Sequence, residues 1–99
     1  MKSYKVLFSH QAFADLKEAK KWYNLQQRGL GQKLTLDVKA TILSIKQNPT
    51  LYSVKFNNIR TFACKTFPYT IHYELDEKDK LIRIVSVFHF SRQPYWVNE

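Results

Sequence analysis

Two helix-period segments, separated by a few residues and followed only by strand-like runs, constrain this chain more than any other feature. From His10 to Gln27 the apolar residues fall at Ala12, Leu16, Ala19 and Tyr23, with Phe13 and Trp22 beside them. The i, i+4, i+7, i+11 spacing is that of one helical face, and Lys17, Glu18, Lys20 and Lys21 fill the other side. Ser9 stands where an N-cap hydroxyl accepts from an orphan amide of the first turn. Arg28-Gly29-Leu30-Gly31 breaks the pattern, glycine being the usual residue where a helix ends. A second helical pattern follows, with Leu30, Leu34, Val38, Thr41, Ile42 and Ile45 on one face. Asn48-Pro49 stops it, because proline cannot donate and restricts the residue before it. Two helices joined by so short a break fold back as an antiparallel hairpin, whose apolar faces need a further layer to cover.

The rest of the chain supplies that layer. Tyr4–Phe8 is a short β-type run ahead of the helices. Val54-Lys55-Phe56, Asn57-Asn58 and Ile59–Thr66 read as a hairpin, since asparagine tolerates the left-handed backbone of a tight turn. After Phe67-Pro68, Tyr69–Leu75 alternates: Tyr69, Ile71, Tyr73 and Leu75 on one face, Thr70, His72 and Glu74 on the other. Asp76–Lys80 is a polar turn. Leu81–Phe90 is almost wholly apolar and reads as an interior strand. The tail, Ser91–Trp96, reads as irregular. The expected order is β-α-α-β-β-β, an α+β single domain over residues 1–99 with the helical hairpin on one face of a mostly antiparallel sheet. At 99 residues the chain has room for one modest core.

Sixteen Lys and Arg against eight Asp and Glu give a net charge of +8 and a pI near 9.7. The excess is uneven: nine basic and three acidic residues in 1–50 leave +6, while seven and five in 51–99 leave +2. Such a surface attracts polyanions: DNA, RNA, the ribosome or an acidic protein. The lysines of the first helix, with Arg28 and Lys33, form either a solvated face or that contact surface. No apolar run approaches ~18 residues, so no membrane partner is expected. The N-terminus has no secretory pattern, and the single Cys64 suits a reducing cytosol. A cytoplasmic location is the expectation.

Several chemistries are excluded by pattern. The two glycines form only Gly-Leu-Gly, not a phosphate loop. Three separated histidines and one cysteine lack metal-ligand spacing, so neither metal nor cofactor is expected. Cys64, on an alternating strand, reads as a buried structural thiol, and His10 and His72 as structural residues. What is left is a set grouped at one end of the sheet: Arg60, Lys65, Tyr69, His89, Arg92, Tyr95 and Trp96. A histidine that titrates near neutrality moves protons, arginines brace a phosphate, and aromatic rings stack a base. Those are the parts of a metal-free ribonuclease. The same residues also serve a purely structural role, with His89 bonding the tail, Arg92 paired to an acid, and Tyr95 and Trp96 capping the core.

The order of motifs resembles a known family. A strand, then Ala12-x-x-Asp15-Leu16 and Trp22-Tyr23, are followed by Gly29-Leu30-Gly31 and a helix ending at Asn48-Pro49. Tyr52, Arg60, Phe67-Pro68-Tyr69-x-Ile71-x-Tyr73 and His89-x-x-Arg92-x-Pro94 leading to Trp96 complete the pattern. Over nearly its whole length the chain resembles toxins of the RelE/ParE superfamily from bacterial type II toxin–antitoxin systems. The resemblance implies a helical hairpin on an antiparallel sheet, and a growth-inhibiting toxin held in check by a cognate antitoxin in a hetero-oligomer. An acidic antitoxin segment that folds on binding suits a +8 surface.

The superfamily divides between RelE-like toxins, which cut mRNA on the ribosome, and ParE-like toxins, which act on DNA gyrase. The nucleases commonly carry lysines along the strand before the tight turn and an arginine after its tyrosine. Here Thr61 and Ala63 are not basic, only Lys65 is, and Thr70 follows Tyr69. The Phe-Pro-Tyr and His-x-x-Arg-x-Pro pieces resemble the ParE-like branch. The leading expectation is therefore a gyrase-binding toxin without enzymatic activity, with Lys65, Tyr69, Tyr95 and Trp96 as contacts. The alternative is a ribosome-dependent mRNA endonuclease with His89 as general acid or base and Arg60 and Arg92 as phosphate clamps. A third reading is a family member that has lost toxicity.

Overall fold

The computed structural model describes residues 3–91. The element order is β1 (Lys5–Phe8), α1 (His10–Gln26), α2 (Leu30–Gln47), β2 (Val54–Phe56), β3 (Ile59–Ala63), β4 (Tyr69–Asp76) and β5 (Leu81–His89). The expected order holds, with the short Val54–Phe56 arm of the first hairpin adding an edge strand. The five strands form one sheet in the order β1-β5-β4-β3-β2. β1 pairs with β5 in parallel; the other pairs are antiparallel.

Local chemistry sets the boundaries. Ser9 caps α1, its Oγ accepting from Ala12 N at 2.9 Å and donating to the Val85 carbonyl at 2.9 Å. One hydroxyl thus starts the helix and fixes it to β5. Gly29 takes the left-handed backbone, φ 86°, that breaks the two helices apart. Gly31 N–H donates to Asn24 Oδ1 at 2.8 Å, so the end of α1 caps the start of α2. Asn57 adopts the positive φ expected of the tight turn.

β3 stops at Ala63, three residues before the expected end. The cause lies on α2: Asp37 Oδ2 accepts from the amides of Thr66 and Phe67 at 3.0 and 2.8 Å, drawing the chain off the ladder and onto the helix. A carboxylate satisfying two main-chain amides makes a strong turn anchor.

The core lies between the hairpin and one face of the sheet. Leu34, Val38 and Ile45 of α2 and Ala12 and Ala19 of α1 meet Ile71 and Tyr73 of β4 and Ile82, Ile84 and Val87 of β5. The alanines of α1 let it approach the sheet closely. Burial pushes the Tyr73 hydroxyl up to about 12, and the group donates to the Pro49 carbonyl at 2.8 Å. Burial also raises the Cys64 thiol, offset in part by its bond to Thr41, which fits the structural role read from sequence. No helix among the described residues is long and apolar enough to cross a membrane.

Candidate functional site

β4 and β5 are out of step by one residue at His72/Tyr73, and that bulge shapes the site. On β5 it lies at Val85, between Ile84 opposite Tyr73 and Ser86 opposite His72. Asp15, one and a half turns into α1, answers it: Oδ2 accepts from Ser86 Oγ at 2.8 Å and from Val87 N at 3.0 Å. Oδ1 accepts from Gln11 Nε2 at 2.7 Å. Bulges leave ladder groups needing other partners, and here a helix carboxylate supplies one.

Between α1 and the far end of β5 lies a cleft of about 470 Å³. Asp15, Glu18, Ala19 and Trp22 come from α1, Tyr69 opens β4, and Val87, His89 and Ser91 come from β5 and just beyond. Tyr23 completes the lining. Its ring is edge-on to Trp22 at 5.0 Å, to Phe67 at 5.1 Å and to Tyr69 at 6.3 Å. Tyr69 is edge-on to His89 at 4.9 Å. The rings form a continuous wall from the helix to the last strand.

His89 is partly exposed, and its Nδ1 accepts from the Ser91 amide at 3.0 Å; Ser91 Oγ lies 2.7 Å from the same nitrogen. This arrangement turns Nδ1 toward the Ser91 backbone and hydroxyl. Beneath the bulge, His72 is buried, 3% exposed, with its ring stacked on Phe88 at 5.0 Å. Burial lowers its pKa to about 4, against the opposing pull of the Asp15 charge. Alternation placed His72 on the right face but gave no sign that this face is closed over it.

Of the residues that sequence reading grouped at one end of the sheet, Tyr69 and His89 meet directly. Lys65 is exposed in the loop between β3 and β4, whose Cys64 amide donates to the Tyr69 carbonyl at 2.8 Å. Arg60 does not join them. It stands opposite Tyr73, four residues along β4 from the residue facing His89, about 13 Å along the sheet and two strands across. Its Nη1 donates to the carbonyls of Tyr52 at 2.7 Å and Thr50 at 3.3 Å, holding the loop after α2. The placement of Arg60 at that end does not hold because β3 and β4 run antiparallel: Arg60 near the start of β3 and Tyr69 at the start of β4 fall at opposite ends of the sheet. Arg92, Tyr95 and Trp96 lie outside the described residues. Sequence reading missed Asp15 and Glu18. The signal was available: on a 100° wheel Asp15, Glu18, Ala19 and Trp22 share a face, while Lys17, Lys20 and Lys21 fall away from it. Among the described residues no group of three His, Cys, Asp or Glu side chains is placed to hold a metal ion.

The family described as ParE toxin of type II toxin–antitoxin system, parDE, matches residues 6–94. No curated protein matches the chain. Among solved structures, a chain of the chromosomal ParDE system of P. aeruginosa is similar with TM-score 0.76 and 15% identity, covering 88% of this chain and 96% of that one. The intact E. coli RelBE toxin–antitoxin complex gives 0.68 and 14%, covering 91% and 100%. The YoeB dimer of Staphylococcus aureus gives 0.60 and 21%, covering 89% and 98%. At these identities the structural likeness concerns the fold.

Proposed function

The chain belongs to the ParE toxin family of type II toxin–antitoxin systems, and from that membership we propose that it arrests growth by binding DNA gyrase, without cleaving RNA. A cognate antitoxin, acidic where it contacts the basic surface, neutralises it in a hetero-oligomer. The observation that carries this reading is the electrostatics around His89. The cleft beside it is lined by the carboxylates of Asp15 and Glu18, and Arg60 is engaged with loop carbonyls two strands away. Phosphodiester cleavage gathers about two negative charges on the reacting phosphorus group and needs cations aimed at it. Two carboxylates beside the histidine repel that charge.

Translation and gyrase supercoiling assays on the same antitoxin-free protein test the proposal. Loss of supercoiling with intact mRNA is the expected result. Ribosome-dependent mRNA cleavage with normal supercoiling would overturn it and move attention to His89, whose replacement by alanine would then abolish toxicity. Both activities unaffected would overturn both target readings, and growth arrest on expression would then distinguish a toxin with another target from a chain that has lost toxicity.

A further inference from the structure

Glu18 and Trp22 face the cleft and lie outside the buried core. Trp22 is 55% exposed although it is a large ring on a helix that packs against the core. Glu18 is exposed, on the same face and four residues before that ring, one helical turn away. Both line the cleft, and Asp15 stands about one turn behind, bonded to β5.

Two features of this wall oppose the character of the chain. First, in a half that carries nine basic residues and three acidic ones, two of those three acids are here. Second, the lysines of α1 fall on other faces, and no described residue lining the cleft is Lys or Arg. The helix is therefore sorted by charge, with anions and rings toward the cleft and cations away from it. An exposed tryptophan face set against a carboxylate, with a second ring at right angles to it, matches a planar cation. Such a group stacks on the indole and bonds the carboxylate in one pose.

We propose that this cleft receives a single guanidinium side chain from a protein partner, with Glu18 as its counter-ion, Trp22 and Tyr23 as its aromatic walls, and Asp15 as the second negative charge. Arginine suits the site better than lysine because its planar head is weakly hydrated and stacks on rings. The proposal deepens the reading of the same cleft and takes from the toxin assignment only that a partner polypeptide docks there. A nucleic-acid base would find the same rings, but its phosphates would meet both carboxylates.

The test is a titration of the full-length, ¹⁵N-labelled protein with a blocked Gly-Arg-Gly peptide, its neutral citrulline twin, and a short single-stranded oligoribonucleotide. The Trp22 indole resonance is identified by Trp22→Phe. The arginine peptide is expected to shift the Trp22 indole and the Tyr23 and His89 amides with a Kd on the order of 1 mM. The citrulline peptide should bind at least about tenfold more weakly, and Glu18→Gln should weaken the arginine peptide about tenfold while leaving the citrulline peptide unchanged. Glu18 is exposed, so this variant is expected to fold, and its amide spectrum away from the cleft serves as the control. Equal shifts from both peptides, indifference to Glu18→Gln, or stronger shifts from the oligonucleotide would each overturn the proposal, as would no shift at all. Gyrase and translation results do not enter this readout, so a failed target assignment and a failed cleft assignment are told apart.

Discussion

His72 ties the stability of this protein to pH in a way that can be worked out before any measurement. The ring is 3% exposed, stacked on Phe88, and its pKa falls from 6.5 to about 4 because burial penalises the charged form. The unfolded chain still takes its proton near 6.5. Above that pH both states carry a neutral ring and the histidine costs nothing. As pH falls below 6.5 the unfolded state is protonated first, so stability drops by about 1.4 kcal/mol per pH unit until the folded ring also titrates near 4. The loss is about 1.4 kcal/mol by pH 5.5 and about 3 kcal/mol by pH 4, a large share of the 5–15 kcal/mol typical of a domain. Asp15 limits the loss, since its charge pulls the pKa upward. Carboxylates elsewhere titrate over the same range, so the assay must be differential. Urea unfolding of the protein and of His72→Gln is followed by circular dichroism at pH 7.5, 5.5 and 4.0. The difference between the two should move by about 3 kcal/mol in favour of the variant across that range. Parallel pH profiles would refute the argument, because they would mean that the ring carries the same proton in both states.

The two carboxylate anchors should separate cleanly by substitution. Asp15→Ala strands Ser86 Oγ and Val87 N and is expected to cost about 2–3 kcal/mol in urea unfolding, whereas Asp15→Asn keeps an acceptor and should cost less than half of that. Asp37→Ala should cost about 2 kcal/mol and speed amide exchange at Thr66 and Phe67 while sparing β5. Tyr73→Phe removes one buried hydroxyl bond to Pro49 and should lower stability by about 1 kcal/mol, read from the same unfolding curves. Cys64, buried and with its thiol pushed up, should react with iodoacetamide at pH 8 only as fast as the protein opens; Thr41→Val would leave that dependence intact.

The helical hairpin was legible because its signals are local. Ser9, Gly29 and Asn48-Pro49 each act within one turn of where they stand, and the helix bounds follow them closely. Alternation likewise placed β4, since Ile71 and Tyr73 are buried on the face it named. What escaped depends on partners remote in sequence. Asp15 meets Ser86 and Val87 across 71 and 72 residues, and Asp37 meets Thr66 and Phe67 across 29 and 30. No periodicity reveals such a bond. Arg60 looked like a phosphate clamp because its residue type permits one, yet its guanidinium is spent on Tyr52 and Thr50 carbonyls. Glu18 was read with the neighbouring lysines as one polar side, and the three-dimensional sorting of that side is what gives the cleft its sign.

That sorting bears on how a partner engages the molecule. Lys17, Lys20 and Lys21 share α1 with Asp15 and Glu18 but point to other faces, so one helix presents opposite charges on its two flanks. A uniformly charged polyanion is attracted to the lysines and repelled at the cleft. A segment that is acidic along most of its length but turns one basic residue over the edge of α1 satisfies both flanks at once. Such a pattern gives register as well as attraction, because the single cation fits at one place along the helix while the acidic residues alone could slide. Asp15 links this discrimination to the fold itself: the carboxylate that fixes the β5 bulge also adds a second negative group to the cleft beside Glu18, so a change in the bulge also alters the binding surface.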